Sequence, residues 1–127
     1  MRVALDTNRY ADLVRGDREL ATLLEEADEV FLPFPVLAEL RAGFSVGKKG
    51  AENELGLRRF LSRAGVAALF GDDGTTRHYA TAYRQLRSQG TPIPTNDLWI
   101  AALVLQHDLV LIARDAHFDR LPQIPRA

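Results

Sequence analysis

Four short apolar runs, two of which end close to a carboxylate, constrain the fold of this chain more than any other feature. The first run ends at Asp6, and the last ends just before Asp115. The four runs are Arg2–Leu5, Glu29–Pro33, Val66–Phe70 and Leu109–Ala113. A continuous apolar run bounded by polar residues is typical of a strand that is covered on both faces. Because helical segments separate the runs, the sequence predicts a parallel sheet with helices on its faces.

This alternation predicts an α/β fold in a single domain over residues 1–127. We expect a three-layer α/β/α sandwich with a central, mainly parallel sheet of four to five strands, the fifth being a short edge strand at Gln123–Pro125. A chain of 127 residues, 46% of them hydrophobic, buries a sizeable core without disulfides, and it has no cysteine. No apolar run approaches the roughly 18 residues of a membrane span, and no signal-peptide pattern is visible, so a cytoplasmic location is the default expectation.

One predicted helix, from Leu98 to about His107, is apolar on almost every side. Such a helix is buried, so we expect it to pack on the sheet with only its ends near water. The segment Thr95-Asn96-Asp97 opens this helix, which places Asp97 on an exposed first turn. A helix earlier in the chain has an apolar stripe with Glu39 at its edge.

Four carboxylates therefore stand at or near ends that a parallel sheet gathers on one side. They are Asp6, Glu39, Asp97 and Asp115. In open parallel sheets, ligands bind outside the carboxyl ends of the strands, where these side chains are expected. The alternative for Asp6 is that it only caps the following helix, since Asp, like Thr and Asn, is a good N-cap residue.

A cluster of four carboxylates needs positive charge to remain ionised. Two carboxylates about 5 Å apart repel by roughly 3 kcal/mol at an effective dielectric constant near 20. Oxygen ligands without a cysteine partner favour hard ions, so we expect Mg²⁺, or alternatively Mn²⁺, in preference to Zn²⁺. We expect Asp6, Asp97 and Asp115 to hold the main ion directly. Glu39 would contact it through water or bind a second ion.

The acids occur in four short motifs. These are Asp6-Thr7-Asn8, Val36-Leu37-Ala38-Glu39-Leu40, Asn96-Asp97-Leu98-Trp99-Ile100-Ala101-Ala102 and Arg114-Asp115-Ala116-His117-Phe118. Their order and spacing resemble those of the PIN-domain nucleases, and the chain looks most like the VapC toxins of bacterial and archaeal toxin–antitoxin pairs. The resemblance covers essentially the whole chain.

The resemblance implies a Mg²⁺- or Mn²⁺-dependent endoribonuclease in which the four acids are the metal-binding and catalytic residues. It also implies an RNA substrate, a VapB-like antitoxin that covers the acidic pocket, and a homodimer. Asn8 matches a position where the family has a polar residue near the same pocket. Ala113 departs from the family pattern, which commonly has Thr or Ser two residues before the last aspartate. This departure motivates an alternative function, a catalytically weak or inactive PIN-like module that binds a partner protein.

Other polar residues close to the acids in sequence are secondary candidates. Asp119, four residues beyond the last acid, is an auxiliary candidate, although a solvated carboxylate is the more ordinary interpretation. Three arginines, Arg9, Arg41 and Arg114, are candidates for holding RNA phosphates, with surface salt bridges as the alternative. His117 could serve a metal or a proton transfer, but its position beside Phe118 in a loop favours a structural role over a ligand role.

Composition and missing motifs argue against several other functions. The formal net charge of −1 argues against binding nucleic acid through bulk positive charge. The only lysines are Lys48 and Lys49, and neither follows a late strand as a phosphorylation-dependent receiver domain would require. A dehalogenase-type phosphatase would need an aspartate in place of Asn8. No glycine-rich loop followed by Lys-Ser or Lys-Thr indicates a nucleotide-triphosphate site.

Overall fold

A sheet of four parallel strands forms the centre of the molecule, and the computed structural model describes all 127 residues. The strands are β1 (Arg2–Leu5), β2 (Glu29–Pro33), β3 (Val66–Leu69) and β4 (Val110–Ile112). Their order in the sheet is β3-β2-β1-β4, and every neighbouring pair is parallel. In the register of the sheet, Val3 of β1 lies between Val30 and Val110. The predicted parallel α/β sheet is confirmed.

Six helices flank this sheet. They are α1 (Thr7–Val14), α2 (Arg18–Glu26), α3 (Phe34–Val46), α4 (Gly50–Leu61), α5 (Asp73–Gln89) and α6 (Thr95–Gln106), and a short 3-10 helix follows β4 at Ala116–Arg120. Local capping explains where several of them begin, because the Asp17 side chain accepts from the Leu20 N–H and Asp72 forms a capping box with Thr75. None of the helices combines the length and apolar character needed to cross a lipid bilayer.

Helix α6 is buried along most of its length, as its sequence predicts. The buried residues are Leu98, Ile100, Ala101, Ala102, Leu103 and Val104. The helix begins at Thr95, immediately after Pro94, whose carbonyl accepts a hydrogen bond from the Leu98 N–H at 3.0 Å. Asp97 therefore lies in the first helical turn, at the end of the helix that faces the carboxyl edge of the sheet.

The order of the strands creates a crevice at one edge of the sheet. The chain passes from β1 outward through β2 to β3 and then returns to the other side of β1 as β4. The chain segments that follow the two strands at such a reversal run to opposite sides, so a crevice opens at the carboxyl ends of these strands. Asp6 follows β1 there, and its N–H donates to the Ile112 carbonyl of β4 at 3.2 Å.

The chain terminus lies beside β4 without forming a fifth strand. The Leu111 N–H donates to the Pro125 carbonyl at 2.8 Å, and the Ala127 N–H donates to the Leu111 carbonyl at 3.1 Å. These contacts make one isolated parallel bridge between Leu111 and Arg126. Pro125 has no N–H to continue the ladder, so the sheet has four strands, the lower of the predicted numbers.

Candidate active site

The four predicted acids converge on one small pocket at the carboxyl edge of the sheet. The pocket has a volume of about 110 Å³ and is lined by Asp6, Thr7, Asn8, Glu39, Asp97, Ile100 and Asp115. Ile100 is the only apolar member of this set. Larger cavities elsewhere in the molecule contain no comparable group of acids, so the chemistry of the lining distinguishes this pocket rather than its size.

Asp6 has both of the roles that its sequence context left open. Its Oδ1 caps α1 by accepting the Arg9 N–H at 2.8 Å, and the residue is only 5% exposed beside the pocket. Burial raises the pKa of the Asp6 carboxyl, and the negative charges of Asp97 and Asp115 raise it further. The Arg9 N–H and the Arg114 guanidinium oppose this rise. Asp6 is thus a buried carboxylate that is held by its cap on α1 and whose ionised form is disfavoured by burial and by the neighbouring acids.

Asp97 and Asp115 lie close enough together for one histidine to contact both. The His117 Nδ1 is 2.9 Å from Asp97 Oδ2 and 3.0 Å from Asp115 Oδ1. Thr95 and Asn96 in the first turn of α6 are exposed, as expected, but the side chain of Asp97 in the same turn is only 18% exposed. The burial of α6 begins at Leu98, and the His117 ring contacts the Asp97 carboxylate.

Sequence reasoning favoured a structural role for His117 over a ligand role, and the structure places its ring inside this cluster. Asp115 caps the 3-10 helix, and its Oδ1 accepts the His117 main-chain N–H at 2.8 Å. This turn, together with the burial of Phe118 at 1% exposure, directs the imidazole back toward the acids. The available signal was the spacing Asp-X-His at the end of a predicted strand, followed by an apolar anchor.

Glu39 lies at the exposed mouth of the pocket, on α3. The Thr7 hydroxyl donates to Glu39 Oε1 at 3.1 Å and so connects α1 to α3 across the site. Asn8 is exposed and also lines the pocket, as predicted for an auxiliary polar residue. Thr7 was not predicted as a site residue, although it stands between Asp6 and Asn8 in the first motif.

The structure does not bring Asp119 into the pocket. Its carboxylate is 71% exposed and accepts from Arg126 Nη1 at 2.7 Å. The interpretation of Asp119 as an auxiliary acid is therefore corrected, because the 3-10 helix turns this side chain toward the chain terminus. The same arginine donates through Nη2 to the Ala113 carbonyl at 2.7 Å.

The three arginines predicted to contact RNA are all engaged in ion pairs. Arg41 pairs with Glu54 of α4 at 2.9 Å, and Arg9 lies inside a cluster with Asp12 and Asp17. Arg114 contacts Asp12 at 3.0 Å but keeps 55% of its side chain exposed. Arg114 also lies close enough to the pocket for its charge to lower the pKa of Asp6. Of the three, Arg114 is therefore the arginine best placed to meet a substrate.

Ala113 provides no hydroxyl to orient Asp115, yet that carboxylate has defined partners. Asp115 Oδ1 accepts from both the main-chain N–H and the ring Nδ1 of His117. Arg126 stabilises the same loop through the Ala113 carbonyl. The departure from the family pattern at Ala113 is thus accompanied by other contacts that hold Asp115 in place.

A family model for the PIN domain matches residues 3–124, nearly the whole chain. The chain belongs to the PIN-domain family. The resemblance inferred from the four acidic motifs is confirmed.

Two similar proteins are named as ribonucleases. Ribonuclease VapC1 of Haemophilus influenzae is 30% identical over 125 residues, covering 94% of this chain and 92% of its own. Ribonuclease VapC2 of Rickettsia felis is 29% identical over 118 residues, covering 92% of this chain and 84% of its own.

Solved structures of similar fold are toxin–antitoxin complexes. VapBC-1 from nontypeable Haemophilus influenzae matches this PIN domain with a TM-score of 0.89 and 26% identity, covering 100% of this chain and 97% of that chain. VapBC2 from Rickettsia felis, bound to a DNA fragment from their promoter, matches with a TM-score of 0.85 and 28% identity, covering 100% and 98%.

The residues around the pocket of this PIN domain fit a divalent cation. The polar side chains that line the pocket offer mainly carboxylate, hydroxyl and amide oxygens as metal ligands. Mg²⁺ and Mn²⁺ prefer such oxygen ligands. Burial disfavours the ionised form of Asp6 and raises its pKa, and the negative charges of Asp97 and Asp115 add to this imbalance. A cation bound among these oxygens would remove that imbalance.

Proposed function

We propose that this PIN-domain protein is a divalent-metal-dependent endoribonuclease and the toxin of a toxin–antitoxin pair. The observation that carries the proposal is the convergence of Asp6, Glu39, Asp97 and Asp115, from four separate elements, on one small polar pocket. The ribonuclease VapC relatives support RNA as the substrate. The VapBC neighbours support a VapB-like antitoxin as the partner.

In this proposal Asp6, Asp97 and Asp115 hold the ion, and Glu39 contacts it through water or holds a second ion. The ion is Mg²⁺ or Mn²⁺. When bound, it supplies the positive charge that a scissile phosphodiester and an attacking water require. We also propose that the protein forms a homodimer and acts in the cytoplasm, where the RNA and the antitoxin are made.

The chain's own residues contribute by holding the acids in place before the substrate binds. Asp6 is fixed by its cap on α1, and Asp115 is fixed by the main chain of His117. Thr7 positions Glu39 at the mouth. Side chains held by such contacts require little reorganisation when the reaction begins. The exposed guanidinium of Arg114 is placed to bind an RNA phosphate beside the pocket.

The deciding experiment is cleavage of structured RNAs by the purified protein with Mn²⁺, with Mg²⁺ or with a chelator. We expect cleavage in the presence of metal and none with chelator. Asp97→Asn serves as the control for contaminating ribonuclease and is expected to be inactive. Cleavage that persists in chelator, or that is equal in the variant, would contradict the proposal. Sequencing of RNA ends after induced expression would then identify the target.

The second candidate function is a catalytically weak or inactive PIN-like module that binds a partner protein. It is motivated by Ala113, where the family commonly has a hydroxyl. Because His117 and Arg126 hold the Asp115 loop in this chain, the missing hydroxyl is a weak argument against catalysis. Absence of cleavage with every metal, together with retained binding to an antitoxin encoded beside the gene, would favour this second function.

A further inference from the structure

One nitrogen donor lies inside the cluster of carboxylates. The side chain of His117 extends from the 3-10 helix after β4 and contacts Asp97 on α6 and Asp115 at the end of β4. These three side chains each offer a ligand atom, and the three atoms lie within 4.8 Å of one another. His117 was not among the residues that the sequence predicted for the metal site.

The spacing of these atoms suits the coordination sphere of a metal ion. Adjacent ligands of an octahedral ion, each about 2.1 Å from the metal, are about 3.0 Å apart. The observed separations are 2.9 Å from His117 Nδ1 to Asp97 Oδ2 and 3.0 Å from Nδ1 to Asp115 Oδ1. Because ionised carboxylates only accept hydrogen bonds, Nδ1 carries a hydrogen in this arrangement. A bound ion would occupy the position of that hydrogen when the neutral ring carries its hydrogen on Nε2 instead, since a metal binds the ring nitrogen that carries no hydrogen.

The position of the ring is determined by the main chain rather than by a flexible contact. The His117 N–H donates to Asp115 at 2.8 Å, and the adjacent Phe118 is buried at 1% exposure. The imidazole remains 36% exposed, so an ion can reach it from solvent. A ligand held in this way loses little conformational entropy when the metal binds.

We propose that His117 Nδ1 is a direct nitrogen ligand of the ion held by Asp97 and Asp115, and that this nitrogen makes the site prefer Mn²⁺ to Mg²⁺. The inference rests on the proposed metal-dependent function and specifies its ion. Mg²⁺ is bound almost entirely by oxygen, whereas imidazole suits transition metals, and affinity for nitrogen-containing sites rises along that series from Mn²⁺ onward.

The direct test is pulsed electron paramagnetic resonance of Mn²⁺ bound to the full-length protein. Nitrogen bonded to Mn²⁺ gives a hyperfine coupling whose frequencies change when ¹⁴N is replaced by ¹⁵N. We expect a nitrogen coupling in the unlabelled protein that changes when histidine alone is labelled with ¹⁵N. Because this comparison uses the wild-type chain, it does not depend on the folding of any variant.

A pair of variants assigns the nitrogen to a residue. His117→Gln keeps a side-chain N–H for the carboxylates but removes the imidazole, and we expect the coupling to disappear. His78→Gln is the matched control, because His78 is an exposed residue of α5 whose ring hydrogen-bonds to the Gly74 carbonyl outside the pocket. The coupling is expected to persist in this control. A coupling that is absent from the wild-type protein, or that survives in His117→Gln, would overturn the assignment.

Calorimetric titration separates this inference from the proposed function beneath it. We expect the Kd for Mn²⁺ to rise about tenfold in His117→Gln, the lower end of what loss of a metal-site contact costs. The Kd for Mg²⁺ should change much less, so the preference for Mn²⁺ falls. Equal changes for both ions, or Mn²⁺ bound without a histidine coupling, would refute the nitrogen ligand alone. Failure of the wild-type protein to bind either ion would refute the metal site itself.

Discussion

At the scale of single residues, one side chain combines a structural and a chemical role. Asp6 caps α1 and is buried beside Asp97. The cap holds the side chain in place, while burial and the neighbouring acids disfavour its ionised form. Titratable groups that are held in one position by several contacts and that have a shifted pKa are typical of functional sites. The neighbouring acids share the first property, since Asp115 and Glu39 are each held by a hydrogen bond from another site residue.

Replacing Asp6 by Asn should separate its two roles. Asn is an equally good N-cap, so we expect folding to be retained. Loss of the carboxylate should reduce metal-dependent RNA cleavage by about 100-fold or more, since even outer contacts of a metal site are worth 10- to 100-fold. Initial cleavage rates with saturating Mn²⁺ measure the effect. Asp119→Asn makes the same chemical change outside the pocket, and a similar loss of activity in that variant would contradict the assignment.

Replacing Arg114 by Ala should weaken RNA binding without unfolding the protein. Its guanidinium is 55% exposed, and its pair with Asp12 at 3.0 Å is a surface interaction of small energetic worth. If Arg114 binds a phosphate, the slope of log K against log salt concentration should fall by about one. Fluorescence titration of RNA in the inactive Asp97→Asn background provides the measurement. Arg77→Ala, which removes an arginine of α5 whose side chain is 81% exposed, should leave both values unchanged.

At the scale of elements, the position of Asp97 depends on the contacts that hold α6 against α5. Asp97 is positioned by α6, and α6 packs against α5 through a polar contact as well as through its apolar surface. The buried Thr75 hydroxyl donates to Gln106 Oε1 at the end of α6 and also completes the capping box with Asp72 at the start of α5. Buried polar groups satisfied in this way specify one arrangement of two helices.

Replacing Thr75 by Val should destabilise the protein by about 1–3 kcal/mol, because Gln106 and the Asp72 N–H would lose a buried partner. Val has nearly the same shape as Thr, so packing changes little. Urea unfolding followed by circular dichroism measures the free energy of unfolding. Thr76→Val is the matched control, since Thr76 is exposed and its hydroxyl bonds only the Asp73 carbonyl. Equal losses in the two variants would show that the buried contact is unimportant.

At the scale of the whole molecule, the acidic pocket exists because the strand order reverses at β1. Asp6 and Asp115 are far apart in sequence but follow adjacent strands, and α6 brings Asp97 to the same edge. Folding therefore concentrates negative charge that the unfolded chain keeps apart. The stability of the protein should therefore depend on pH and on added divalent metal.

The raised pKa of Asp6 sets the direction of the pH dependence. Between the ordinary aspartate pKa of about 3.9 and the higher folded value, the folded state binds more protons than the unfolded state. Stability from this carboxyl is therefore present at low pH and is lost as pH rises through that window. Other carboxyls have the opposite effect on the pH dependence of stability, because their pKa values are lowered: Asp17, Asp28, Glu54 and Asp72. The contribution of Asp6 is therefore measured as the difference in unfolding free energy between the wild type and Asp6→Asn at each pH. A difference that does not change with pH would contradict the assignment.

Divalent metal should reverse this loss of stability at neutral pH. A ligand at 100 times its Kd that binds only the folded state stabilises it by about 2.7 kcal/mol. We expect Mn²⁺ to raise the melting temperature of the wild type and to have little effect on Asp97→Asn. Differential scanning calorimetry with and without chelator measures both. An equal rise in the two proteins would indicate binding outside the pocket.

The sequence by itself determined the parallel sheet, the buried α6 and the four acids, because apolar periodicity and strand ends are local properties of the chain. Only the tertiary structure decided that His117 contacts Asp97 and Asp115, that Asp119 turns away toward Arg126, and that Thr7 supports Glu39. Each of these contacts depends on the direction of a side chain within a turn and on partners distant in sequence. Such directions are set by packing against the rest of the fold and are not encoded in residue spacing.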